Sequence, residues 1–179
     1  MIQLWRIFGD VVPLFFVISL IVVTLSVWRF RSQKTAWEQK VPKISLLLTM
    51  IAILLITVFP FYYIPDQPRV LNLVPFVGMY RLIVYSVDIE VPIRNILLNV
   101  LLFVPFGFFL SWSANQLSVR NITMTGLLFS FIIEVFQYVL PIGRSADIDD
   151  VILNTLGAFF GAVVWKGIEM YRKQSSASF

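Results

Sequence analysis

The chain contains no cysteine and no histidine, and charged residues make up only 13% of it. The first absence excludes disulfides and thiol nucleophiles. The second excludes zinc sites of the usual kind and a Ser-His-Asp triad. Whatever chemistry occurs here falls to carboxylates, amides, arginines, hydroxyls and shape. Charge is scarce as well, since a soluble domain carries about 25%. Apolar residues fill the space instead: 59% of the chain is hydrophobic and the mean hydropathy is +0.86. The 179 residues leave room for a single domain, 1–179, with no hydrophilic block long enough for a second. The net charge of +4 does not point to nucleic acid, because the basic residues gather at the ends of apolar runs, as topology signals do.

An apolar helix of about 20 residues matches a hydrocarbon core of about 30 Å. Five segments meet that length: Val11 to Trp28, Ile44 to about Ile64, about Asn95 to Trp112, Ile122 to Leu140, and about Ile148 to about Trp165. The chain is therefore expected to be an all-α integral membrane protein, a bundle of about five transmembrane helices. The second span is expected to start just after Pro42-Lys43 and to bend at Pro60. Pro105 and Gly107 either kink the third or open its backbone toward a cavity. The fifth is expected to be short and closed by Lys166. The first run has only Arg6 ahead of it and no small-x-small cleavage site behind it, so it reads as a retained helix rather than a signal peptide.

Basic residues set the expected orientation. Arg29, Arg31, Lys34, Lys40, Lys43, Arg120, Lys166, Arg172 and Lys173 fall on one side. Arg6, Arg69, Arg81, Arg94 and Arg144 fall on the other. The first group belongs inside, which puts the N-terminus outside and the C-terminus in the cytoplasm. The longest connection, Pro65 to about Ile93, is then outside, and it is partly apolar. Too short and too broken by Pro and Gly to span, it either lies in the headgroup layer, re-enters the bundle, or packs on the helix ends.

The embedded polar residues concentrate toward that same face. Asn99 lies about 7 Å inward from Arg94, Glu134 about 10 Å inward from Pro141 with Gln137 one turn above it, and Asn154 about 6 Å inward from Asp150. Glu134 is the most informative, because a carboxylate in a spanning helix costs about 2.5–3.5 kcal/mol unless paired or hydrated. Arg94 or Arg144 is its expected partner. Asn99 and Asn154 read equally as interhelical glue or as ligand contacts. Asp147, Asp149 and Asp150 open the fifth helix, where acidic groups suit the dipole. Capping accounts for one or two of the three, and a divalent cation or a cationic head group is a candidate for the remainder. Gly157 and Gly161 form a GxxxG pattern for close packing, within the bundle or between copies in a helix-helix oligomer.

Four stretches carry a family likeness: Asn72-Leu73-Val74-Pro75-Phe76; Asn99-Val100-Leu101-Leu102-Phe103-Val104-Pro105-Phe106-Gly107; Glu134-Val135-Phe136-Gln137; and Gly143-Arg144-Ser145-Ala146-Asp147-Ile148-Asp149-Asp150 with Asn154-Thr155-Leu156-Gly157 after it. In this order, in a small polytopic protein, they resemble the VanZ-like family (the teicoplanin resistance protein VanZ family) over about 71–161. The resemblance implies a multi-pass protein of the Gram-positive cell membrane. It also implies a role in low-level resistance to teicoplanin and other lipoglycopeptides, apart from remodelling of the D-Ala-D-Ala target, or in modulating the cell envelope.

Two functional readings follow. In the first, an outward-facing polar cavity binds an amphiphile: a lipoglycopeptide antibiotic, a membrane lipid or a lipid-linked cell-wall precursor. Its contacts would be Asn72, Arg94, Asn99, Glu134, Gln137, Arg144, Asp147, Asp150 and Asn154. The arginines would meet phosphate or carboxylate, and Phe76, Phe103 and Phe106 the chain. In the second, an enzyme acts on a lipid phosphate at the outer leaflet, with a cation on Asp147, Asp149 and Asp150 and with Glu134 as general acid or base. No nucleophile-and-base pair is recognisable, so binding is favoured over catalysis. A transporter ranks third, because no internal repeat is found.

Overall fold

The computed structural model describes residues 11–30, 37–58, 70–140 and 145–177. Among them are five helices long and apolar enough to cross a membrane: α1 (Val11–Phe30), α2 (Trp37–Thr57), α4 (Glu90–Ser113), α5 (Val119–Val139) and α6 (Ile148–Ala177). A short helix, α3 (Val77–Tyr85), and two two-residue strands, β1 (Leu71–Asn72) and β2 (Ala146–Asp147), complete the described elements. The protein is an all-α membrane bundle with one small parallel β pair.

Helices α4 and α6 form its axis, and small residues are the reason. At Gly157 and Gly161 a Cβ would collide with the carbonyls of Val100 and Val104, and at Gly107 with the Ala158 backbone. The GxxxG face of α6 is thus occupied by α4 of the same chain. Close approach of this kind lets dispersion contacts hold two helices in lipid, where burial of apolar surface gives no drive. Beside the seam, Phe103, Phe106 and Phe129 pack ring to ring at 5.2–5.8 Å. Ile53 of α2 and Ile133 of α5 close this core. Helix α1 has apolar residues all round and buries little of itself, as suits a helix surrounded by lipid.

Three helix boundaries differ from the sequence expectation, the first being α4, which starts at Glu90 rather than about Asn95. Helix α2 starts at Trp37 rather than after Lys43 and carries Pro42 inside it. Glu38 in its first turn suits the dipole of a helix that begins that early. Pro60 lies outside the described residues. Helix α6 does not stop near Trp165 but continues to Ala177, 30 residues in all. That is about 45 Å, longer than the hydrocarbon core. Lys166 does not close it. Instead Lys166 and Lys173 bridge Glu169 at 3.1 and 2.7 Å, and such i,i+3 and i,i+4 pairs support a helix that has left lipid. Helix α4 runs through Pro105 to Ser113, and Gly107 serves packing on α6 rather than an opening.

The two ends of the bundle are chemically different. Lys166 donates to the carbonyl of Asn115, which ties the α4–α5 turn to the far part of α6. Gln137, near the other end of α5, donates to the carbonyl of Thr57 at 2.8 Å. The aspartates at the start of α6 therefore share an end with the C-terminal ends of α2 and α5.

Candidate functional site

The polar end is assembled by groups that complete one another's backbone. Helix α3 begins after Phe76, which is left-handed at φ 67° and gives no side-chain cap of its own. A non-glycine residue there costs roughly 1–2 kcal/mol, and the first amides of any helix lack intrahelical acceptors. Asp149 of α6 supplies them. Its carboxylate accepts from the Phe76 amide at 2.5 Å and from the Met79 amide at 2.9 Å. It thus caps α3 from 70 residues away in sequence. Buried to 2% exposure, Asp149 has this role in place of a solvated one.

Asp147 joins three segments. Its Oδ1 accepts from the Asp149 amide at 2.9 Å, capping α6 itself, and from Nδ2 of Asn72 at 2.9 Å. Its own amide donates to Oε2 of Glu134 at 2.8 Å. The parallel pairing of Leu71 with Ala146 and of Asn72 with Asp147 holds this register, as does the bond from the Ala146 amide to the Val70 carbonyl at 3.0 Å. Asp150 Oδ1 accepts from Nδ2 of Asn99 at 2.6 Å, tying α6 to α4. One turn further, Asn154 Nδ2 donates to Ser130 Oγ at 2.8 Å, tying α6 to α5. The Oδ1 of Asn154 is buried without a partner among the described residues.

The residues singled out from the sequence are thus gathered at one end, but in distinct roles. Asn72, Asn99, Gln137 and Asn154 direct amide donors at protein acceptors. Asp147, Asp149 and Asp150 each accept from protein donors, and among the described residues no three acidic side chains converge on a metal-sized point. Arg94 does not line the cavity that Glu134 lines. It lines another of about 330 Å³, with Asp147, Asp149 and Asp150. Arg144 lies outside the described residues. Phe103 and Phe106 are core residues, and Phe76 is exposed in the strained turn.

Beside Glu134 is a pocket of about 220 Å³, lined by Leu71, Leu73, Phe131, Val135, Tyr138 and Val151 together with Asn72, Glu134 and Asp147. Its surface is almost wholly apolar. Asp147 stands between this pocket and the Arg94 cavity and lines both. The connection between α2 and α4, where described, is neither a spanning nor a buried segment. Helix α3 buries none of its nine residues, and Tyr80, Ile83, Val84 and Tyr85 are exposed. An apolar surface of this kind matches the headgroup layer better than water.

Sequence reasoning missed Gly78 and Ser130, and it read Phe76 as a chain contact rather than as a left-handed turn. Gly78 is the most constrained of these. A Cβ there would lie 2.6 Å from both Asn72 Nδ2 and Asp147 Oδ2, so a larger residue would have to displace the side chains of this hydrogen-bonded network. Gly78→Ala is expected to destabilise the protein by about 1–3 kcal/mol in a thermal melt of purified protein. Gly167→Ala, where a Cβ meets nothing within 4 Å, is the control and should be neutral or stabilising. Equal melts for the two variants would contradict the packing described.

A family model described as VanZ/LLP1 matches residues 46–169, more than two thirds of the chain. "Protein VanZ" of Enterococcus faecium is 32% identical over 93 residues, which is 52% of this chain and 50% of that protein. The match thus spans about half the length of that curated relative. No solved structure matches. Span number, family model and relative agree: this chain belongs to the VanZ-like family of membrane proteins.

Proposed function

We propose that the chain is a membrane binding protein that receives the acyl part of an amphiphile in the pocket beside Glu134. Through this it gives low-level resistance to teicoplanin and related lipoglycopeptides, or modulates the envelope in another way. The observation that carries the reading is the pocket itself. An almost wholly apolar slot next to residues such as Asn72, Glu134 and Asp147 suits the chain of an amphiphile that bears a polar head. At about 220 Å³ it is smaller than the roughly 300–1,000 Å³ of a drug-sized site. It therefore suits part of an acyl chain, with the head left outside near Asp147 and Arg94. The relative's name and the family support the envelope role.

Catalysis draws less support. Glu134 accepts a backbone amide, and the aspartates are engaged in capping and cross-linking, which is structural employment for groups an enzyme would present to substrate.

The reading requires the aspartate end to face outward, as the basic residues imply. Among the described residues, Lys40, Lys43, Arg120, Lys166, Arg172 and Lys173 lie toward the other end. The lack of native cysteine makes this directly measurable. A single cysteine at Val87, which is fully exposed, should react with an impermeant thiol reagent on intact cells. One at Ser176 should react only after permeabilisation. The reverse pattern rejects an outer site.

Val135→Trp fills the pocket from α5. It should weaken binding of a lipoglycopeptide to the purified protein by about 10-fold or more, or about 1.4 kcal/mol, and remove any protection of cells expressing it. A glycopeptide without an acyl chain should bind neither form. Unchanged affinity in Val135→Trp would refute the pocket as the site.

A further inference from the structure

We infer that the end of the bundle opposite the aspartates carries a second binding site, for the phosphate of an anionic phospholipid headgroup, built from Lys43 and Arg172 beside the Trp112–Trp165 pair. A cavity of about 400 Å³ lies there between the start of α2, the end of α4 and the late turns of α6. Unlike the pocket beside Glu134, it is mostly polar.

Four observations point to a lipid phosphate. First, both cations are available. Neither Lys43 nor Arg172 forms a salt bridge with a carboxylate among the described residues. Two carboxylates also line the cavity, and each has other employment. Glu169 is held by Lys166 and Lys173, and Glu38 sits in the first turn of α2, where the helix dipole favours it.

Second, the wall is aromatic. The Trp112 and Trp165 rings stack at 4.8 Å and 21°, and the Arg172 guanidinium lies 5.9 Å from the centroid of Trp165. A guanidinium fixed over a ring is pre-organised for a forked contact to phosphate. Third, Trp165 is 94% buried, given its 6% exposure, and its Nε1 has no acceptor among the described residues. The same residue lines the cavity.

Fourth, the depth is right. Trp165 is 17 residues along α6 from Ile148, about 26 Å at 1.5 Å per residue. That is close to the far edge of a hydrocarbon core of about 30 Å. Arg172 lies about 10 Å beyond, at headgroup level. Indole rings at the edge of lipid with cations just past it form the usual anchoring arrangement of a membrane–water boundary. This depth and the indole wall select a headgroup over a free anion. The site shares no residue with the pocket beside Glu134.

The test uses the full chain purified in detergent micelles. Phosphatidylglycerol should raise its thermal midpoint and survive as a bound adduct in native mass spectra, whereas phosphatidylcholine should do neither. Replacing both cations, Lys43→Gln with Arg172→Gln, should weaken phosphatidylglycerol binding by about 10-fold or more, from the loss of two cationic contacts. Both side chains are exposed, and the comparison of the two lipids on the wild type needs no variant. Inorganic phosphate should not displace the lipid. The inference is overturned by equal retention of phosphatidylcholine, by displacement with inorganic phosphate, or by a double variant that binds phosphatidylglycerol as the wild type does.

Discussion

Buried polar groups need hydrogen-bond partners, and at the polar end of this bundle most of them find those partners in the protein. The constraint is sharpest at the Phe76 and Met79 amides around the start of α3, where Phe76 is left-handed and no side chain of its own caps the helix. The Asp149 carboxylate meets them, and much else depends on that contact. It sets α3 down on the start of α6, which brings Asn72 to Asp147 and pairs β1 with β2. Pairing in turn delivers the Asp147 amide to Glu134 and forms part of the lining of the apolar pocket. A buried carboxylate accepting amides at a helix N-terminus is among the better-compensated buried charges, because the dipole and two donors act on it together.

A second constraint acts through the middle of the membrane. Helices α4 and α6 must approach until backbone meets backbone, and glycine at 107, 157 and 161 permits it. This seam fixes the height of Asn99 against Asp150 and of Asn154 against the α5 hydroxyl of Ser130. Packing in the apolar half of the bundle and hydrogen bonding in the polar half therefore specify one register of α6. The same helix then continues beyond lipid, where the Glu169 bridges maintain it and the indole–guanidinium wall begins.

Much of this was legible from residue types. Hydropathy located the five spans, because about 20 apolar residues have few other uses. The unusual depth of Glu134, Asn99 and Asn154 marked the polar end, because such groups are too costly to place idly. What the residues do there was less legible. Capping in trans has no local signature: nothing around Phe76 shows that Asp149 completes its helix, and nothing around Thr57 shows that Gln137 takes its carbonyl. The αL turn fell on a phenylalanine, where the usual glycine signal is missing. Lys166 has the local signature of a helix terminus, yet it is the first member of an ion-pair ladder that carries the fifth helix on to Ala177.

The account stands on the coupling of α3 to the start of α6 through Asp149, and hydrogen exchange measures that coupling most directly. In the full chain embedded in nanodiscs, residues 70–80 and 145–150 should exchange slowly and with similar protection. In Asp149→Ala both segments should lose protection together while the centre of α4 keeps its own. Loss confined to either segment, or none, would show that the carboxylate does not hold the two together and would contradict the account.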